Sequence, residues 1–205
     1  MKLEVKNLAA ERGGRAVFGG LSFTAEASTL LRVTGANGAG KTTLLRILSG
    51  LGAPVSGEAQ WRSNDGAALT PGEATCFVGH ANAFNESLSV TENLSYAAAL
   101  GGLALSPDQM ISALDAFGVK ALRNRSFGAL SQGQKKRCSL ARMLLAPTRG
   151  SRAWLLDEPF VALDVDTQAL LAQLISAELA AGALVIYTSH QAVDINAPVS
   201  RELSL

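Results

Sequence analysis

The chain has 205 residues, 48% of them apolar and 17% charged, with a formal net charge of +1. That length builds one well-buried core with room for a subdomain rather than two ordinary domains, and its scattered Lys and Arg give no electrostatic footprint for nucleic acid. Cys76 and Cys138 lack metal-ligand or haem-attachment spacing and read as buried thiols of a reducing compartment.

The N-terminus, Met1-Lys2-Leu3-Glu4-Val5-Lys6, alternates like a strand and lacks the apolar core of a signal peptide. Strands are expected over residues 3–8, 21–23, 30–34, 58–62 and 75–79, separated by Gly- and Ser-containing turns. After the third comes Gly35-Ala36-Asn37-Gly38-Ala39-Gly40-Lys41-Thr42, which matches the phosphate-binding pattern Gly-x-x-x-x-Gly-Lys-[Ser/Thr] without a mismatch. Its glycines let the backbone curl so that successive N–H groups point inward at an anion. Lys41 adds a charge near the β- and γ-phosphates, and Thr42 offers a hydroxyl to Mg²⁺. Residues 42–48, opening with Thr42-Thr43, read as a helix ended by Gly50, with its positive dipole end aimed at the phosphates.

The middle of the chain turns helical. Helical spacing covers residues 89–100, and Ser106-Pro107-Asp108-Gln109 is a capping box with proline at the first helical position, opening a helix to about residue 117. The stretch 94–105 is broken by Ser95, Gly101 and Gly102 and is too short to span a bilayer, so the protein is expected to be cytoplasmic, serving a membrane only as a peripheral subunit. Ser131 and Gln134 repeat the capping arrangement ahead of a helix to residue 145, with Pro147 beyond it. The basic run Lys135-Lys136-Arg137 on that helix reads as its solvated face. The last third alternates strand 153–157, helix 166–181 and strand 183–189. The expected organisation is α/β: a nucleotide-binding core of mixed β-sheet over approximately residues 1–80 and 148–205, carrying an inserted α-helical subdomain over approximately 82–147.

Trp154-Leu155-Leu156-Asp157-Glu158 is an apolar strand ending in two carboxylates. Open α/β sheets place ligands at the carboxyl ends of their strands. Asp157 is therefore placed to hold the Mg²⁺ bound by Thr42, directly or through water. Glu158 can sit where a water attacks the γ-phosphate and accept its proton.

Leu130-Ser131-Gln132-Gly133-Gln134 resembles the signature motif of ATP-binding-cassette ATPases, a P-loop NTPase family. Asp157-Glu158-Pro159 resembles their extended second nucleotide motif, Ala162-Leu163-Asp164 the Asp-containing loop that follows, and His190, after Val185-Ile186-Tyr187-Thr188-Ser189, the switch histidine. The resemblance runs from the first strand to about Gln191. It implies ATP and Mg²⁺ as cofactors and a head-to-tail homodimer in the ATP-bound state, with the phosphate loop of one chain (35–42, continuing into Thr43) facing the signature of the other. By that resemblance Ser131 and Gly133 bind the γ-phosphate in trans, with Gln134 in the same nucleotide-facing set. Asp164 shapes the dimer contact, and His190 hydrogen-bonds the γ-phosphate and positions the attacking water. The N-terminus of a helix carrying Ser131 and the Gly133 N–H is a ready anion site on physical grounds as well.

Three positions depart from the family pattern. The adenine-stacking aromatic is missing near Glu11-Arg12, where Arg12 could stack through its guanidinium plane. The loop glutamine is replaced by Ala81, flanked by His80 and Asn82, and Gln132 stands for the first signature glycine.

Several stretches resemble the ATP-binding subunit of the cytochrome c maturation haem-export system: residues 17–23, 35–51 and 78–80, Glu92-Asn93-Leu94, residues 156–165 and Thr188-Ser189-His190-Gln191. That resemblance implies a peripheral protein on the inner face of the bacterial cytoplasmic membrane, working with integral-membrane transporter subunits to drive release of a haem–chaperone adduct. No haem-ligand constellation stands in the sequence, so no direct haem binding is expected. An ABC transporter ATPase for another substrate, and a soluble non-transport cassette, are the alternatives.

Overall fold

The structure is a computed structural model that describes residues 1–79, 83–100, 102–145, 153–189 and 193–205. The chain divides into two units: Met1–Gly79 with Thr148–Pro159 and Ala172–Leu205, and His80–Pro147 with Phe160–Leu171.

In the first unit the expected mixed β core resolves into two sheets. One is antiparallel, in the order β2-β1-β4-β5, built from β1 (Lys2–Arg12), β2 (Arg15–Glu26), β4 (Ser56–Arg62) and β5 (Ala68–Leu69). The other is parallel, in the order β6-β7-β8-β3-β9, from β6 (Thr75–Val78), β7 (Ala153–Leu156), β8 (Val185–Thr188), β3 (Thr29–Thr34) and β9 (Val199–Ser204). The alternation at the N-terminus does its work as expected: Leu3 and Val5 turn inward while Lys2 and Glu4 do not. β1 and β2 run farther than the expected strands, because Gly13 and Gly14, both at positive φ, close a two-residue hairpin between the paired Arg12 and Arg15. β2 is largely exposed, so no apolar run marked its length.

Helix α1 (Lys41–Leu48) shares one apolar cluster with both sheets. Leu44, Leu45 and Leu48 pack in that cluster with Leu3, Val5 and Leu8 of β1, Leu31 and Val33 of β3, and Leu155 and Ile186 of β7 and β8. Every residue of β7 and β8 is buried, as strands covered on both faces require. Trp61 of β4, also in the cluster, donates its indole N–H to the Leu48 carbonyl at 2.9 Å and satisfies an acceptor at the end of α1. Each buried leucine contributes roughly 1.5–3 kcal/mol, whereas an exposed ion pair such as Lys2–Glu4 adds little. The cluster is what fixes α1, and with it the loop that precedes it.

The second unit is helical. It holds α3 (Val90–Leu100), α4 (Pro107–Ala116) and α5 (Gln132–Leu140), the last two opened by the expected capping boxes. Beyond Leu140 the chain tightens into a 3₁₀ segment, Ala141–Leu145, where one continuous helix was expected; such tightening is common at helix ends. The short helix α2 (Pro71–Ala74) belongs to the first unit, and α6 (Val165–Ala180) contributes residues to both.

The basic run on α5 is not a solvated face. Lys135 and Lys136 are buried, at 8% and 6% exposure. Lys135 Nζ lies 2.8 Å from Oε1 of the exposed Glu86 and 5.6 Å from the centre of the Phe127 ring, so the buried stem carries its charge to a matching carboxylate at the surface. A run of three cations looked like surface because the matching carboxylate lies far off in sequence.

Cys138 is buried and Cys76 only half-buried. Burial pushes the Cys138 thiol up from its ordinary 9.0 to about 11. The folded state therefore favours the protonated thiol, and this thiol's contribution to stability is present below pH 9 and lost as pH rises toward 11. A Cys76→Ser variant should be silent to a thiol-reactive dye at pH 8 when native and label fully when unfolded; native labelling at the unfolded rate would contradict the burial.

Candidate functional site

The phosphate loop connects β3 to α1, both anchored in the core, so its backbone is held from both sides. Gly40 sits just before the helix at φ +100°, where an added Cβ would overlap Val17 Cγ1 and lie 2.9 Å from Phe18. β2 thus packs against the loop so closely that only glycine fits. α4, α5 and α2 open with side-chain caps, whereas α1 opens on Gly40 with none. The first N–H groups of α1 therefore have no side-chain acceptor and point where an anion would be drawn.

Lys41 is buried, and its ammonium donates to the carbonyls of Gly35 (2.8 Å) and Ala36 (3.1 Å), which centre it over the loop. Thr42 Oγ1 donates to Asp157 Oδ2 at 2.8 Å. The other oxygen of Asp157 accepts from Thr188 Oγ1 at 2.8 Å, and Thr188 Oγ1 in turn accepts from the Glu158 N–H at 2.8 Å. Asp157 and Thr188 are 1% and 0% exposed. A continuous chain of hydrogen bonds thus links the phosphate loop, the end of β7 and the end of β8. Glu158, at φ +50°, holds a backbone conformation that non-glycine residues avoid, a strain typical of functional turns. Lys41, Thr42, Asp157 and Glu158 line a pocket of about 180 Å³, which Arg12, Asn37 and Gly38 also border.

Among the described residues no group of three or more His, Cys, Asp and Glu could hold a metal. The paired Thr42 hydroxyl and Asp157 carboxylate nevertheless fit Mg²⁺, which prefers oxygen donors and is commonly held by one or two carboxylates together with phosphate oxygens.

Ser131, Gly133, Gln134 and Asp164 lie in the second unit. Ser131 Oγ accepts from the Gln134 N–H (3.3 Å), and Gln134 Oε1 accepts from the Ser131 N–H (3.0 Å). The cap uses Ser131 oxygen as an acceptor and leaves its proton available to an anion. Gly133 lies one residue into α5, where an added Cβ would only touch the Ala162 carbonyl at 3.5 Å. Asp164 caps α6, accepting from the Thr167 N–H at 2.8 Å, and the Thr167 hydrogen bonds hold its carboxyl below the usual range. Ala162, at φ +62°, marks a strained turn just before it. His190, together with His80, Ala81 and Asn82, lies outside the described residues.

Thr188 was missed in the sequence. Its signal was only its place at the end of a strand; its importance comes from the parallel register that sets β8 beside β7, with Leu156 opposite Tyr187.

A sequence model of the ABC transporter family matches residues 18–161. The chain is 44% identical over 207 residues to the cytochrome c biogenesis ATP-binding export protein CcmA of Dechloromonas aromatica, covering 99% of both chains. It is 43% identical over 205 residues to the protein of the same name from Albidiferax ferrireducens, covering 99% of this chain and 96% of that one. Among solved structures, an ABC transporter ATP-binding protein from Pyrococcus furiosus superposes with a TM-score of 0.80 at 28% identity, over 99% of this chain and 98% of that one. A dimeric ATP-binding cassette in a post-hydrolysis state, bound to ADP and phosphate, superposes with a TM-score of 0.78 over 92% of this chain and 88% of that one; at 21% identity it shows the shared fold.

Proposed function

The chain belongs to the ABC transporter family and is an ATP-binding ATPase, and from that premise we propose that it powers the haem-export step of c-type cytochrome biogenesis. The observation that carries this reading is the near-full-length identity to export proteins of that process.

The whole chain works as one nucleotide-binding domain. The loop amides, the open end of α1 and Lys41 bind the β- and γ-phosphates. Thr42 and Asp157 hold Mg²⁺, which when bound neutralises charge on those phosphates. Asp157 keeps its orientation through Thr188, and Thr188 fixes the backbone of Glu158. Glu158 then accepts the proton of the attacking water, the part that sets turnover.

Two copies act together. Ser131, Gly133 and Gln134 of one chain close over the γ-phosphate held by the other, the Ser131 hydroxyl proton pointing to a phosphate oxygen. Asp164 shapes the contact by holding the turn that starts α6, and His190 positions the attacking water. Arg12 borders the pocket, and in this reading its guanidinium plane stacks on the base. No helix among the described residues is long and apolar enough to cross a membrane; the subunit sits on the inner face of the cytoplasmic membrane through integral-membrane partners, and haem is handled by those partners.

Deleting the gene should abolish haem-stained c-type cytochromes, the wild-type chain should restore them, and Glu158→Gln should not. Normal c-type cytochromes in the deletion strain would reject the haem-export assignment.

A further inference from the structure

We propose that Glu86 and Lys135 form a positioning pair that aims the phosphate-facing end of α5 and thereby sets the rate of ATP hydrolysis. The inference rests on the reading above that Ser131 and Gly133 act on nucleotide.

Lys135 is one turn into α5, and its own N–H donates to the Ser131 carbonyl at 2.8 Å. Whatever locates Lys135 therefore locates Ser131. The Lys135 side chain is 10% exposed, and a buried ammonium persists only where its charge is matched. Glu86 Oε1 supplies the match at 2.8 Å, with the Phe127 ring beneath the ammonium.

Glu86 is itself bound to the segment that leads into α5. Its carbonyl accepts from Ser126 Oγ at 2.7 Å and from the Gly128 N–H at 2.9 Å. The Phe127 N–H donates to the Leu88 carbonyl at 2.9 Å, and Ser89 bridges Ser126. An added Cβ at Gly128 would come within 3.0 Å of the Glu86 carbonyl, so the two segments approach closely there. Phe127 stacks edge-on against Phe84 at 4.9 Å. Residues 84–89 and 126–128 are thus fastened together by backbone, ring and ion-pair contacts, all immediately ahead of Ser131.

The capping box cannot do this aiming. Ser131 and Gln134 bond to each other and fix local geometry at the helix start, but they would travel with α5 if it tilted. The Glu86–Lys135 pair joins the helix to a different segment, which is what fixes a direction. Its loss should leave nucleotide binding by the phosphate loop intact and misplace the trans phosphate contacts, which act in the transition state.

The test uses the full chain, with ATP hydrolysis measured alongside ATP affinity and melting temperature. Lys135→Met, which keeps the apolar stem, should lower kcat about tenfold with affinity unchanged, Lys135→Arg should recover most of it, and Glu86→Gln should act like Lys135→Met. The Glu86→Gln, Lys135→Met double variant should be no slower than either single one, because one device is being removed. Wild-type kcat in both single variants, or losses that multiply in the double variant, would overturn the pairing. If Lys135→Met does not fold, the exposed Glu86→Gln decides by its kcat and its response to Lys135→Arg. A bulky Ser131→Arg serves as reference: hydrolysis surviving it would overturn the trans-site reading, whereas its loss beside an unaffected Lys135→Met would overturn the positioning pair alone.

Discussion

Glu158→Gln is expected to lower ATP turnover by about 10²–10⁴-fold, the range general-base catalysis contributes, while ATP affinity stays near that of the wild type. Glutamine keeps the shape of the side chain and removes its basicity. The backbone at this position is fixed independently, since the Glu158 N–H is bonded to Thr188 and the residue holds its turn at φ +50°. The substitution therefore isolates proton transfer from geometry. Turnover within a few-fold of wild type, measured by phosphate release, would remove Glu158 from the chemistry.

Lys41→Ala is expected to act on binding as well as on rate. Lys41 is buried over the phosphate loop, with two backbone carbonyls orienting its ammonium. In a water-excluded site one such electrostatic contact is commonly worth about 10²–10³ in rate, and its loss also leaves the phosphate charge poorly matched in the ground state. Lys41→Ala should therefore weaken ATP affinity and lower kcat together, in contrast to Glu158→Gln, where kcat alone falls. Affinity comes from titration of a fluorescent ATP analogue and kcat from steady-state hydrolysis. Unchanged affinity for Lys41→Ala would show that the loop amides alone hold the nucleotide.

These two variants probe the part of the site that could be read directly from sequence. The loop from Gly35 to Thr42 is legible because its chemistry is local: three closely spaced glycines, a lysine and a threonine fix what the backbone does. The capping boxes at Ser106 and Ser131 are legible for the same reason, and both form as expected. Asp157 and Glu158 are legible as the polar end of an apolar strand.

What escaped is non-local. Thr188 enters the site only because β8 lies parallel to β7 in a register that brings its hydroxyl to Asp157. The edge strand β9 carries a polar, mostly exposed sequence, so no apolar pattern announced it; its pairing with β3 defines it. Lys135 was misread as surface because charge in a short helix usually is surface, and Glu86, its partner, stands 49 positions earlier. In each case a residue's role is set by what the fold places opposite it.

The most direct test of the central claim is the mass of the Glu158→Gln chain in solution, by sedimentation or light scattering, with ATP and Mg²⁺ and then with ADP. A slow-hydrolysing chain that sandwiches ATP between two copies should reach twice the monomer mass with ATP and return to the monomer with ADP. A chain that binds ATP at saturation and remains monomeric in both would contradict it.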